Sequence, residues 1–180
     1  IVGLGLLLNL TAWLAIPEAH LRLPGVLQRI GLCFAAAALL AVDTRPRTRD
    51  VIALLLLAGY GVLLLAGGSP DPWVNIVSRV DTAVFGPFVY ITDPATGRGH
   101  DPEGLLATLP ALATTLLGVR AGAWLRAGDT RRLLVAAVAC AAAGWLLQPL
   151  WPFNKNLWTP SYVLWTGGWS FALLALFHVL

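Results

Sequence analysis

The sequence is short of what a soluble, stapled or metal-bound domain relies on. Charged residues make up 12% of its 180 positions, about half of what an ordinary soluble domain carries. Its two cysteines, Cys33 and Cys140, each sit mid-way along an apolar run, which excludes a disulfide framework and any Cys/His zinc spacing. They read as small packing residues. No two of the three histidines, His20, His100 and His178, stand at ligand spacing, so no metal is expected. Methionine is absent and lysine occurs once, at Lys155. The cations are spread over connectors rather than gathered into a basic patch with interleaved aromatics, which argues against nucleic acid. No Gly-x-Ser-x-Gly elbow, phosphate-cradling glycine loop or paired-acid spacing occurs.

What remains is apolar. Hydrophobic residues reach 58%, the mean hydropathy is +0.76, and the apolar residues come in long blocks rather than amphipathic stripes. The expected fold is all-α, a polytopic transmembrane helical bundle forming one domain over 1–180. Six spans can be drawn, at 1–16, 25–42, 51–66, 104–125, 133–147 and 162–180. Several fall below the roughly 20 residues a bilayer requires, so tilt or snorkelling flanks must make up the length. With no methionine and an apolar run at each end, the chain is expected to be an internal part of a longer protein.

The formal net charge of +3 is explained first by orientation. Connectors 43–50 and 126–132 hold three arginines each, Arg45, Arg47 and Arg49 in one and Arg126, Arg131 and Arg132 in the other. The positive-inside rule puts both in the cytoplasm. Connectors 67–103 and 150–160 then face the periplasm or a lumen. The first of these is long and acidic, with Asp71, Asp81, Asp93, Asp101 and Glu103 against Arg79 and Arg98. Loops of that length tend to be functional or disordered, and a short interfacial helix is expected within 74–90. The partner implied by composition is the lipid bilayer; a homo-oligomer is left open.

Three stretches carry more polar chemistry than turns require. In Arg22-Leu23-Pro24-Gly25-Val26-Leu27-Gln28-Arg29-Ile30, Gln28 and Arg29 lie in the first turns of a span. Snorkelling would accommodate Arg29, but Gln28 beside it and Arg22 before it favour a cavity lining. In His100-Asp101-Pro102-Glu103-Gly104, Asp101 and Pro102 suit the N-cap and first position of a helix. Glu103 enters the membrane on the same side as Arg29, and pairing would offset the burial cost of both. In Asn154-Lys155-Asn156-Leu157-Trp158-Thr159-Pro160-Ser161-Tyr162, two amides, a lysine, an indole and two hydroxyls meet at a boundary flanked by Trp145, Trp151, Phe153 and Trp165. An aromatic belt with a polar cap accounts for such a segment as well as a binding loop does. Within 104–125, Arg120 is expected to snorkel to the cytoplasmic side.

In order and spacing these three segments together resemble the heparan-α-glucosaminide N-acetyltransferase family and its bacterial relatives. The resemblance covers essentially the whole chain. It implies a polytopic enzyme that moves acetyl from cytoplasmic acetyl-CoA to an amino-sugar acceptor of glucosamine type across the membrane, here a bacterial inner membrane. It places the catalytic histidine upstream of the first motif, so neither His20 nor His100 inherits that role. Acetyl transfer needs a base for the sugar ammonium and donors for the thioester oxygen as it becomes an oxyanion. Substrate- or acetyl-CoA-binding candidates are Arg22, Gln28, Arg29, Asp101, Glu103, Asn154, Lys155, Asn156, Trp158 and Ser161. The rival readings are a transporter for a sugar or small polar solute, built on Arg29, Glu103 and a proline-kinked span, and a relative that has kept the fold without catalysis.

Overall fold

The computed structural model describes residues 1–17 and 19–180, leaving Glu18 of the first connector outside the described residues. Seven α-helices account for most of it: α1 (Val2–Ala15), α2 (Val26–Asp43), α3 (Pro46–Ala66), α4 (Ile76–Phe85), α5 (Thr108–Arg126), α6 (Thr130–Leu147) and α7 (Pro160–Val179). Their boundaries follow from local chemistry. Pro46 and Pro160 occupy first-turn positions of α3 and α7, where the missing N–H costs nothing. Asn75 caps α4 by accepting from the Ser78 N–H, and Asp129 caps α6 by accepting from that of Arg132, satisfying orphan donors of each first turn.

Four helices, α2, α3, α6 and α7, are long and apolar enough to cross a membrane, and the chain is an integral membrane protein with a helical fold. The two other long helices fall where spans were expected but are marginal by the same measure. At 14 residues, α1 reaches about 21 Å. α5 has the length, 19 residues, but Thr108, Pro110, Thr114, Thr115, Arg120 and Arg126 dilute it. The short helix expected in the long connector is α4.

Small residues fill the interior and large ones face outward. One core joins Ala37 of α2, Ala53 and Leu57 of α3, Ala113 and Leu116 of α5, and Val163 of α7. A second joins Ala121, Leu133, Ala137, Phe171 and Ala175 across α5, α6 and α7. Leu14, Leu54, Val138, Leu146 and Phe177 are exposed. Lipid is as apolar as leucine, so helices in a bilayer associate through close packing instead, which favours small interfacial residues. Gly144 and Gly168 carry this furthest: a Cβ on Gly144 would stand 2.5 Å from the Trp165 nitrogen, and one on Gly168 2.6 Å from that of Ala141. α6 and α7 therefore touch backbone to backbone. α5 is the central helix, packed on α2, α3, α6 and α7.

Over one end of the bundle lies a cap made from the 67–107 connector. α4 leads into a two-stranded antiparallel hairpin, β1 (Ile91–Thr92) and β2 (Gly99–His100), pairing Ile91 with His100 and Thr92 with Gly99. The cap is pinned to the bundle by a third core of Tyr60, Val77, Ala107 and Leu157. Between the hairpin and α5, residues 101–107 run as turns. The helix expected from Gly104 thus begins four residues later, and Asp101 does not cap it. The reason is competition, because the Asp101 carboxylate is taken up elsewhere.

Candidate functional site

The three polar segments converge at the capped end of the bundle on one ion cluster. Arg22, in the first connector, grips Asp101 with two donors, Nε to Oδ2 at 2.9 Å and Nη2 to Oδ1 at 2.5 Å. Its Nη2 also donates to the Glu103 carboxylate. Arg29, in the first turn of α2, donates from Nη1 to the Pro102 carbonyl at 2.9 Å and faces Glu103 Oε1 from Nη2 at 3.5 Å. Both guanidinium groups lie over aromatic rings: Arg22 is 4.7 Å from the centre of Tyr90, and Arg29 is 4.2 Å from that of Trp158. Two cations thus meet two anions, with π faces covering the cations.

Asp101 is the hub. Fully buried, it also accepts from the Tyr90 N–H at 2.8 Å and from that of Glu103 at 2.9 Å. A carboxylate this deep is tolerable only with its lone pairs filled. Burial works against the Arg22 charge, but the hydrogen bonds and charges of Asp101 and then Glu103 outweigh it and raise its pKa above the ordinary arginine value. A recess of about 210 Å³ opens onto the cluster, lined by Gln28, Arg29 and Glu103 and by apolar Leu6, Leu32 and Phe85. Gln28 is held against Gly5 and Gly25, where a Cβ would collide with its amide, and donates to the Leu23 carbonyl.

The 154–162 segment contributes less directly than its composition suggests. Only Trp158 reaches the cluster, with its indole N–H donating to Thr114 Oγ1 at 3.2 Å. Asn154 is a turn former, its Oδ1 accepting from the N–H groups of Asn156 and Leu157. Lys155 and Asn156 are exposed, and Ser161 is sealed inside, donating to the Trp151 carbonyl. Among the described residues, none of these four hydrogen-bonds to a member of the cluster. The segment is anchored instead by the Tyr60 hydroxyl, which donates to the Leu157 carbonyl, and by the Trp151 indole, which donates to the Gly61 carbonyl at 3.1 Å.

Behind the cluster, a second polar group is buried in the cap. Asp81 of α4 is fully buried; its Oδ1 accepts from the Leu105 N–H at 2.9 Å and its Oδ2 has no partner among the described residues. Burial is the main cause that pushes its carboxyl up to about 7; the Leu105 N–H opposes this and the Asp101 charge adds to it. His100 is buried too, and burial lowers its pKa against the pull of Asp101 and Glu103; its Nδ1 lies 2.9 Å from Ser78 Oγ. His20 donates from Nε2 to the Val89 carbonyl at 2.8 Å, which ties the first connector to the cap. At the opposite end, Arg120 is not a free snorkelling group: it forms a two-pronged ion pair with Asp50 of α3, Nε to Oδ1 at 2.9 Å.

Tyr90 and Asp81 were not singled out by the sequence. A signal existed for Asp81, since it falls one turn from Val77 on the face of α4 that is buried. Nothing marked Tyr90 apart from other interfacial aromatics. No group of three or more His, Cys, Asp or Glu side chains that could hold a metal ion is present among the described residues.

No family model matches the chain. Over 215 aligned residues the chain is 26% identical to heparan-alpha-glucosaminide N-acetyltransferase from Homo sapiens, a match that takes in 87% of this chain and 32% of that protein. The chain therefore spans about a third of the length of the curated relative it matches. The similarity is distant, and it is to a member of the heparan-α-glucosaminide N-acetyltransferase family, which the three polar segments resemble.

Proposed function

We propose that this chain forms the membrane core of an N-acetyltransferase that moves acetyl from cytoplasmic acetyl-CoA to a glucosamine-type amino sugar on the outer side of a bacterial inner membrane. The observation that carries the reading is the meeting of Arg22, Arg29, Asp101, Glu103 and Trp158 from three separate segments in one cluster beside a recess. In this reading all six long helices cross the bilayer. α1 does so with help from its flanks, and α5 is shielded from lipid by its neighbours.

The chemistry asks for an amine freed of its proton, a thioester carbonyl held in place, and donors aimed where negative charge develops. Arg29 suits the third of these roles. Its guanidinium is fixed by the Pro102 carbonyl, Glu103 and the Trp158 face, so little reorganisation is needed when charge appears. Arg22 and Asp101 act one step back, holding Glu103 in register. Gln28 lines the recess, and Trp158 backs Arg29 from the other side. Asn154, Lys155, Asn156 and Ser161 act at one remove, in the segment that carries Trp158. The base is assigned to no residue of this chain, in keeping with the histidine that the resemblance puts upstream.

The test uses the full-length protein in sealed vesicles, with labelled acetyl-CoA on the cytoplasmic side and glucosamine on the other. Labelled N-acetylglucosamine in the far compartment is the expected result. Uptake of unmodified sugar without label transfer would mark a transporter and overturn the proposal.

A further inference from the structure

On the far side of the 154–159 turn from the ion cluster lies a second, larger cavity of about 310 Å³, at the lower end of the roughly 300–1,000 Å³ range of small-molecule pockets. It sits between the end of α3, the 68–72 turn and the stretch leading into α7. Trp151 and Phe153 are among its apolar lining residues and Ser69, Asp71 and Asn154 among its polar ones; the Phe153 ring is backed by Trp165, with 5.5 Å between ring centres. The turn is a shared partition: Leu157 and Thr159 line the cavity, while Trp158 between them lies against Arg29.

The walls are built rather than incidental. Pro70, Pro72 and Pro152 stiffen them, and the Trp151 ring is laid against Gly61, where a Cβ would stand 2.6 Å from it. Among the described residues, two that are not glycine have a positive φ, Trp73 at 72° and Trp158 at 52°. Each adjoins a lining residue. Such conformations cost about 1–3 kcal/mol each and persist where surrounding structure over-determines them, often at ligand sites. Polar capacity is left over as well. Asp71 uses Oδ2 to accept from Ser69 and Asn154 uses Oδ1 within its turn, which leaves Asp71 Oδ1 and the Asn154 amide N–H groups without a protein partner among the described residues.

We propose that this cavity binds one pyranose ring, its apolar face on the aromatic wall and its hydroxyls on Asp71 and Asn154. Aromatic surface answers the C–H face of a sugar, and a carboxylate beside an amide answers its hydroxyl edge. The Asp71 charge disfavours phosphate and sulfate groups at this spot, so the ring is neutral or cationic. The proposal deepens the acetyltransferase reading and rests on it only in taking the ring to be part of the acceptor.

The experiment measures binding with no acetyl donor present. The full-length protein in nanodiscs is titrated with glucosamine and, separately, with N-acetylglucosamine, read by saturation-transfer NMR and tryptophan fluorescence. Wild type is compared with Asp71→Asn, which keeps the turn's acceptor, and with Phe153→Leu, which thins the aromatic wall. The expected result is saturation of the ring protons in wild type, with the dissociation constant raised about tenfold by Asp71→Asn, the loss of one charge-assisted hydrogen bond, and severalfold by Phe153→Leu. No ring saturation in wild type, or constants unchanged in both variants, overturns it. The vesicle assay separates the two readings. Sugar binding without acetyl transfer removes the enzyme and leaves the subsite, whereas transfer with an unaltered acceptor KM in Asp71→Asn removes the subsite and leaves the enzyme.

Discussion

Asp101 accepts hydrogen bonds from Arg22 Nε, Arg22 Nη2 and the Tyr90 and Glu103 N–H groups while fully buried. Asp101→Asn keeps the shape but leaves Arg22 with Glu103 as its one remaining anion; a buried pair broken outright on one side typically costs about 3–5 kcal/mol, and this loss should fall toward the lower end. A thermal melt in detergent should show it as a large fall in Tm. Glu103→Gln should cost less, up to about 1 kcal/mol, because Glu103 is partly exposed, yet it should slow acetyl transfer more than its stability effect explains. Asp81 supplies a pH dependence. Its carboxyl is held up at about 7, against roughly 3.9 in an unfolded chain. The folded cap keeps a proton that the unfolded chain gives up, so this stabilisation is whole below about pH 4 and is lost as pH rises to about 7. Hydrogen exchange across α4 and the 101–107 turns should quicken over that interval by more than its intrinsic pH dependence, and Asp81→Asn should abolish the excess. Of these groups, Arg29 and Glu103 were readable as partners because each was too polar for its depth. Asp101 was misread as a cap because its real partner, Arg22, lies 79 positions away, a distance over which local rules are silent.

At the scale of elements, the six long helices lie over the apolar blocks, since block length and flanking prolines are local properties. α3 nevertheless begins at Pro46, five residues before its block, and takes Arg47, Arg49 and Asp50 of the expected connector into its first turns. The start of α5 is displaced as well, because a tertiary contact captured its expected cap. The cap's hairpin escaped the reading for a related reason: two-residue strands carry no periodicity. The α6–α7 contact gives a steric prediction. Gly168→Leu has no room beside the Ala141 backbone, and overpacking should cost about 1–3 kcal/mol, visible as a lowered Tm, while Gly118→Leu, with open space around the position, should be far milder. The 154–159 turn is an element in its own right. Trp158→Ala gives up the π face over Arg29, worth about 1–2 kcal/mol when desolvated, and should depress transfer; Trp158→Phe should restore part of it.

At the scale of the whole molecule, the proposed topology makes a labelling prediction. With Cys33 and Cys140 replaced by alanine, Arg47→Cys and Arg131→Cys should each react with an impermeant thiol reagent only from the cytoplasmic side, and Thr96→Cys only from the outer side. Labelling of positions 96 and 131 from one face would take α5, which separates them, out of the membrane. The backbone-to-backbone seam between α6 and α7 has a mechanical consequence. Two rods in backbone contact along that seam resist being prised apart, so the loop that joins them is held from below by both. The cap, by contrast, is tied to the first connector and α2 through side-chain ion pairs, a join made of charges rather than of backbone.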